Sequence, residues 1–178
     1  MTAVDRSGVV SANEEWLIGG LRFGARYPPR DGWAYSSPSA LLLAHGRLFT
    51  PARWPGGAIP GEPGQCFIES MIYAQGSGDA LAYVEGWALD PDNTGETIAH
   101  AWCAGPGGLL LDPTWKAPGA AYVGLPVVPS VAAGLMSDCG GPLLHSASGL
   151  VSPVTERWMR EGIPEGVLVD VGRPIAPR

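Results

Sequence analysis

The sequence predicts an α+β fold in which one helix packs against an antiparallel sheet, and three observations support this prediction. Apolar residues recur at helical spacing from Cys66 to about residue 76. Strand-like segments follow without an intervening helix, at residues 81–87 and twice within the stretch IAHAWCAGPGGLLLDPTW, residues 98–115. The 26 glycines and 18 prolines favour many turns over a helical bundle. We therefore expect an antiparallel meander covered by the Cys66 helix.

The composition is that of a globular protein with one sizeable core. Of 178 residues, 46% are apolar and only 16% are charged. We expect a single domain over residues 1–178. Its central core, at about residues 60–130, carries the candidate site, between an N-terminal helical and loop portion at about 1–59 and a C-terminal helix and tail at about 150–178.

The charge of the chain argues against two classes of partner. A net charge of −6 and a pI near 4.9 leave no basic patch for nucleic acid or for an anionic membrane. The first twenty residues do not resemble a signal peptide, and nowhere do about eighteen apolar residues follow one another. We expect a cytoplasmic protein with no nucleic-acid and no membrane partner, and the sequence leaves the oligomeric state open.

Two helices are predicted before Cys66. Residues 1–12 have the pattern of a loosely held arm, and Asn13 is a candidate cap for a short helix through Leu17 that ends at the glycine pair 19–20. The segment SPSALLLAHGRLF opens a second helix at its Ser-Pro. Residues 50–64, rich in proline and glycine, form a connection that leads the chain to Cys66.

The elements after Cys66 are predicted with the same signals. A DPDNTG turn at residues 90–95 closes the first strand, and a further strand is predicted at residues 121–128. The segment VAAGLMSDCGG is ambiguous. Ser152 and Pro153 have the types expected at the cap and first position of a last helix, and the final residues predict an edge strand followed by a frayed tail.

The glycine-rich turn at residues 105–108 predicts that His100 and Asp112 face each other across a hairpin. A histidine held by a carboxylate is half of a nucleophilic triad, and Cys66 is the candidate nucleophile. In the first turn of a helix, exposed N–H groups and the positive end of the helix dipole favour a thiolate. The backbone N–H of Cys66 is also a candidate donor to an oxyanion.

Four further residues are weaker candidates for contact with a substrate or an oxyanion. They are Gln65, beside the cysteine, Glu85, on the first strand, and the tryptophans Trp102 and Trp115, next to the predicted base and acid. Each has a purely structural interpretation as well, as a solvent-facing or core residue.

The other cysteines are expected to be structural. Cys103 lies on the opposite face of its strand from His100, and is expected in the core. Cys139 and His145 form a rival pair that lacks an orienting acid. Three cysteines cannot pair completely, and none has zinc-ligand spacing, so we expect reduced thiols, no metal and no cofactor.

A cysteine at a helix start, a YVEGWA strand, HAW and then GLLLDPTW resemble the core of the transglutaminase-like and papain-like cysteine-hydrolase superfamily. The likeness is greatest to small bacterial or phage-type members, and it covers about residues 64–127. It implies that Cys66 is the nucleophile, His100 the general base and Asp112 the orienting acid. It also implies a cysteine-dependent acyl-transfer enzyme, acting on a peptide, protein or small amide through a thioester.

The residues leave the outcome of that chemistry open. Water as acceptor would make the enzyme a protease, amidase or deamidase, and an amine would make it a transamidase. The segment GQCFIES also resembles the motif of arylamine N-acetyltransferases, which implies acetyl transfer from coenzyme A as an alternative. A third alternative is a catalytically inactive module of the same fold that binds a protein partner.

Overall fold

The computed structural model describes residues 10–54, 61–90, 95–145 and 150–176. Three predictions lie partly outside these described residues: the N-terminal arm at residues 1–9, the connection at residues 55–60 and the turn at residues 91–94. Residues 146–149 and the last two residues of the predicted tail are also outside them.

The described residues form a mixture of helices and one sheet, which confirms the predicted α+β class. The helices are α1 (Ala12–Gly24), α2 (Pro38–His45), α3 (Cys66–Gly76), α4 (Pro129–Cys139) and α5 (Pro153–Glu161). The strands are β1 (Arg47–Leu48), β2 (Thr50–Ala52), β3 (Ala82–Leu89), β4 (Thr97–Ala104), β5 (Leu109–Leu111), β6 (Ala121–Val127) and β7 (Arg173–Pro174).

The sheet curls until its two halves meet. Its strand order is β2-β5-β4-β3-β6-β1-β7, and only β2 and β5 pair in parallel. Strands β1 and β2 are separated in sequence by Phe49 alone, yet four strands lie between them in this order. The curl also brings the backbone at Gly108, just before β5, close to the backbone at Gly172, just before β7. A Cβ on Gly108 would lie only 2.8 Å from the Cα of Gly172.

Two glycines in central strands permit this curvature. Gly86 of β3 pairs with Gly124 of β6, and a Cβ on Gly86 would lie 2.4 Å from the Cα of Gly124. A Cβ on Gly124 would lie 2.8 Å from the ring of Trp102. Glycine inside a strand commonly marks such close approach, and here it lets β3 and β6 wrap around a tryptophan.

The curled sheet separates two apolar clusters. The inner cluster fills the concave face and consists of Phe49, Val84, Ala88, Trp102, Ala104, Leu110 and Tyr122. The larger cluster contains residues from the helices and from the other face of the sheet, including Ala101 and Cys103. Because side chains alternate along β4, His100 shares the inner face with Trp102.

Helix α1 is longer than the sequence predicted. Its cap is Ser11, not Asn13, since the Ser11 hydroxyl accepts from the Glu14 N–H while the Glu14 carboxylate accepts from the Ser11 N–H. The helix continues through the glycine pair 19–20 to Gly24. Burial of Leu17, Ile18 and Leu21 along one face outweighs the low helix propensity of two glycines.

The remaining elements follow the sequence signals more closely. Helix α2 ends at His45, and the next residues pair as β1 where the sequence predicted more helix. The ambiguous segment is α4, which Gly140 ends in the left-handed conformation. Ser152 caps α5 with Pro153 at its start, as predicted, and β7 lies at the sheet edge. No helix among the described residues is long and apolar enough to span a bilayer.

Candidate active site

His100 and Asp112 form a buried pair at the end of the β4–β5 hairpin. His100 Nε2 lies 2.6 Å from Asp112 Oδ2, and the residues are 2% and 4% exposed. The register pairs Cys103 with Leu111, so Asp112 follows directly after the paired part of β5. The hairpin therefore brings the two side chains together, although they are not direct cross-strand partners.

The second carboxylate oxygen of Asp112 is fixed by the residues that follow it. Oδ1 accepts from the Thr114 N–H at 2.9 Å, from the Thr114 hydroxyl at 3.1 Å and from the Trp115 N–H at 3.0 Å. This is the turn that aspartate forms with the backbone two residues on. Tyr122 adds a hydroxyl that donates to Oδ2 at 3.4 Å. The carboxylate thus has a single orientation, with Oδ2 towards His100.

Cys66 is the first residue of α3 and lies beside the same histidine. Cys66 is 8% exposed, and its side chain is close enough to His100 to contribute to the raised pKa of that histidine. Because Nε2 is occupied by Asp112, Nδ1 is the ring nitrogen left for Cys66. The structure therefore brings the three predicted triad residues together in the order cysteine, histidine, aspartate.

Two contacts fix α3 against the hairpin. The loop that enters the helix is joined to the acid-bearing turn, since the Gly61 N–H donates to the Pro113 carbonyl at 3.0 Å. Further along, the Cys103 thiol donates to the Ser70 carbonyl at 3.3 Å, one turn after Cys66. The position of Cys66 relative to His100 is therefore set from both sides of Cys66.

The electrostatics of the pair favour charge separation. Burial opposes a charge on His100, but hydrogen bonds and charge interactions with Asp112 and Cys66 outweigh it and raise the pKa of His100 to about 9. Burial alone would raise the pKa of Asp112, but the His100 interaction and the N–H donors of Thr114 and Trp115 lower it. At neutral pH the pair is an imidazolium and a carboxylate.

The two tryptophans predicted near the site have different environments. Trp115 is half-buried, and its ring stacks on the His100 ring with centroids 4.0 Å apart and planes 19° apart. Trp102 is fully buried in the inner cluster against Phe49 and Tyr122. Its indole N–H has no partner among the described residues. Trp115 therefore covers one face of the base, while Trp102 packs beneath it.

Gln65 and Glu85 also differ in their surroundings. Gln65 is exposed at the cap position of α3, and its side chain makes no capping hydrogen bond. Glu85 is 1% exposed and accepts from the Tyr83 hydroxyl at 2.9 Å and from the N–H groups of Leu143 and Leu144 at 2.8 and 2.6 Å. Glu85 thus anchors the segment that follows α4.

The same burial changes the pKa of the Glu85 carboxyl group. Its pKa is raised to about 7, because desolvation outweighs the stabilising hydrogen bonds from the backbone and from Tyr83.

The rival cysteine and histidine have separate partners. Cys139 donates to the Gly141 carbonyl at 3.1 Å, whereas the His145 ring packs edge-on against Trp87 with centroids 4.7 Å apart. Cys103 is buried, and desolvation together with the charge of Asp112 raises its pKa to about 12. No group of three metal-ligating side chains converges anywhere in the described ranges.

No family model, curated protein or solved structure matches this chain. The geometry and chemistry of the site are therefore the basis for a functional proposal.

The residues around Asp112 have a role that the sequence analysis did not assign to them. The N–H groups of Thr114 and Trp115 fix the Asp112 carboxylate. Asp-Pro followed by a hydroxyl residue is a recognisable turn former, so this role is readable from sequence. The site as a whole brings together a thiol, an imidazole and an oriented carboxylate, side chains that are able to support acyl transfer.

Proposed function

We propose that this protein is a cysteine-dependent acyl-transfer enzyme with a papain-like or transglutaminase-like core. The observation that carries the proposal is the buried Cys66–His100–Asp112 constellation, with Asp112 Oδ2 2.6 Å from His100 Nε2 and the Cys66 side chain beside the same ring. Buried ionisable groups are costly to maintain without a role. The substrate class that fits this chemistry is an amide, in a peptide, a protein or a small molecule.

The reaction follows from the ionisation of the site. Protonated His100 places a proton donor beside the Cys66 sulfur, which is the attacking atom. The sulfur attacks the carbonyl carbon. The N–H groups in the first turn of α3 are then the candidate hydrogen-bond donors to the resulting oxyanion. As the C–N bond breaks, His100 transfers its proton to the leaving amine, and the acyl group remains as a thioester on Cys66.

Release of the acyl group regenerates the enzyme. Neutral His100 accepts a proton from water or from an acceptor amine, which attacks the thioester carbon and releases the Cys66 sulfur. Asp112 holds Nε2–H throughout, so Nδ1 exchanges protons at the reacting centre. Water as acceptor gives hydrolysis, and an amine gives transamidation.

Two measurements test the proposal without a known substrate. Iodoacetamide at neutral pH should label Cys66 much faster than Cys103 or Cys139, as followed by peptide mass spectrometry. p-Nitrophenyl acetate should leave one acetyl group on Cys66, and the wild-type chain should release it over time. His100→Gln should slow both the labelling and the release.

Other results of these measurements would contradict the proposal or favour one of the alternatives. Equal, slow labelling of all three thiols, or an acetyl group that is never formed, would contradict the proposal and favour an inactive binding module. Acetyl exchange that requires coenzyme A would favour the N-acyltransferase alternative.

A further inference from the structure

The outward face of α1 carries aromatic residues that the fold does not bury. Leu17, Ile18 and Leu21 pack into the core, whereas on the other side Trp16 is 63% exposed and Phe23 is 68% exposed. Isolated exposed apolar residues are common, but clustered exposed aromatic residues indicate an interaction surface. We call the surface formed by Trp16, Gly19, Gly20 and Phe23 the aromatic face of α1.

Two adjacent glycines form the floor of this face. Nothing in the described structure lies within 4 Å of a Cβ built on Gly19 or on Gly20, and neither has a positive φ angle. Glycine within a helix lowers its stability relative to alanine, so neither packing nor backbone conformation explains the pair. A helix without side chains at two positions does, however, allow another backbone to approach closely.

The glycines and aromatic rings enclose a groove. A cavity of about 480 Å³ is lined by Trp16, Gly19, Gly20 and Phe23, together with residues at the start of β4. Arg26 extends the rim, since its guanidinium lies 3.8 Å from the centroid of the Phe23 ring. The groove therefore has an open floor, two aromatic walls and a basic end.

The arrangement is complementary to itself. Trp16 and Phe23 are equally distant in sequence from the midpoint between Gly19 and Gly20. If a second α1 lies antiparallel across that midpoint, each Trp16 faces the Phe23 of the other copy, and the glycine pairs cross. A twofold interface requires such self-complementarity.

The charges support the antiparallel orientation. Glu15 lies near the start of α1, whereas Arg22 and Arg26 lie at and just beyond its end. Glu15 and Arg22 share one flank of the helix, where they form an exposed ion pair of 3.8 Å within the chain. Antiparallel pairing brings the Glu15 of one copy beside the basic end of the other, and it also opposes the two helix dipoles.

We propose that the aromatic face of α1 is a dimer interface whose occupant is a second copy of this chain. Each buried aromatic side chain contributes about 150–250 Å². Four rings that are about two-thirds exposed would supply roughly 400–700 Å², a substantial part of the about 1,200 Å² of a stable interface. The proposal is independent of the acyl-transfer chemistry, because α1 contributes no residue to the triad.

The test compares two glycines in otherwise similar settings. Sedimentation velocity from about 1 to 100 µM should give a species of twice the 18.5 kDa chain mass for the wild type. Gly20→Leu fills the groove and should weaken association by at least tenfold. Gly134→Leu, at an equally open helical position on α4, should leave it unchanged. Circular dichroism verifies that both variants are folded.

A charge exchange tests the orientation. Glu15→Arg and Arg22→Glu should each weaken the dimer, and the double variant should recover it, because the exchange restores both the ion pair within α1 and the opposite charges across the interface. A wild-type chain that is monomeric throughout this range overturns the proposal. So does a dimer that Gly20→Leu leaves intact.

Discussion

Asp112→Asn gives the most direct test of how the site is ionised. The three donors at Oδ1, from Thr114 and Trp115, require an acceptor at that position. The asparagine must therefore keep its oxygen there and present its NH₂ group to His100 Nε2. An NH₂ group can only donate, so Nε2 must lose its proton and act as an acceptor. The substitution thus reverses the histidine tautomer.

The magnitude follows from the pKa of His100. A rise from 6.5 to about 9 corresponds to about 3 kcal/mol in favour of the imidazolium. Burial lowers the pKa of His100, and the hydrogen bond to Asp112 is the largest contribution that raises it, followed by the interaction with Cys66 and the charge of Asp112. With both Asp112 contributions lost, we expect His100 in the variant to titrate at or below its ordinary pKa. At neutral pH the ring is then neutral and carries its proton on Nδ1, where it cannot accept one from Cys66.

NMR titration of the histidine Cε1–H resonances measures this directly. His45, His100 and His145 are the only histidines, and His100→Gln identifies the signal. Iodoacetamide labelling of Cys66 at neutral pH should slow by between about 10- and 100-fold, the range that a loss of up to ~3 kcal/mol permits.

Tyr122→Phe is the control that keeps the carboxylate, because near Asp112 it removes the weaker 3.4 Å bond to Oδ2, together with the acceptor of the Gly119 N–H. The His100 titration should remain near its wild-type midpoint in this variant. If His100 still titrates near pH 9 in Asp112→Asn, the carboxylate is not what stabilises the imidazolium, and the reasoning about the triad fails.

Two further predictions concern the scaffold around the site. Glu85→Gln should destabilise the fold by about 1–3 kcal/mol, because its NH₂ group must face a buried backbone N–H. In the wild type, the stability from protonated Glu85 is fully present below pH 4.5 and is lost as pH rises through about 7, so urea unfolding should give a smaller mutational cost at high pH than at low pH. A cost independent of pH would contradict this. Gly124→Ala should cost about 1–3 kcal/mol by overpacking against Trp102, whereas Gly134→Ala, measured in the same way, should be neutral or stabilising.

The parts of the site that were predictable from the sequence depend on local geometry. His100 and Asp112 are twelve residues apart on one hairpin, so a turn and two short strands suffice to bring them together. The cap of α5 was also readable, because Ser152 and Pro153 act on neighbouring backbone groups. In each case the residues that form the contact are close in sequence.

The parts that were missed depend on distant partners. Strand β1 has two residues and exists because Arg47 pairs with Gly124, which no local pattern indicates. The buried position of Glu85 depends on N–H groups 58 and 59 residues away. Helix α1 continues past two glycines because its apolar face is buried against the rest of the fold, and this burial outweighs the low helix propensity of glycine.

The same distinction explains where the site is sensitive to change. His100 and Asp112 belong to one hairpin and are held by contacts within it, whereas Cys66 belongs to α3 and reaches His100 only through packing. Two contacts between the hairpin and the α3 region set the position of Cys66: the Gly61 N–H to the Pro113 carbonyl, and the Cys103 thiol to the Ser70 carbonyl. A substitution that weakens either contact should therefore separate Cys66 from His100 while it leaves the 2.6 Å pair intact. Loss of Cys66 reactivity with a retained His100 titration is the signature of such a change.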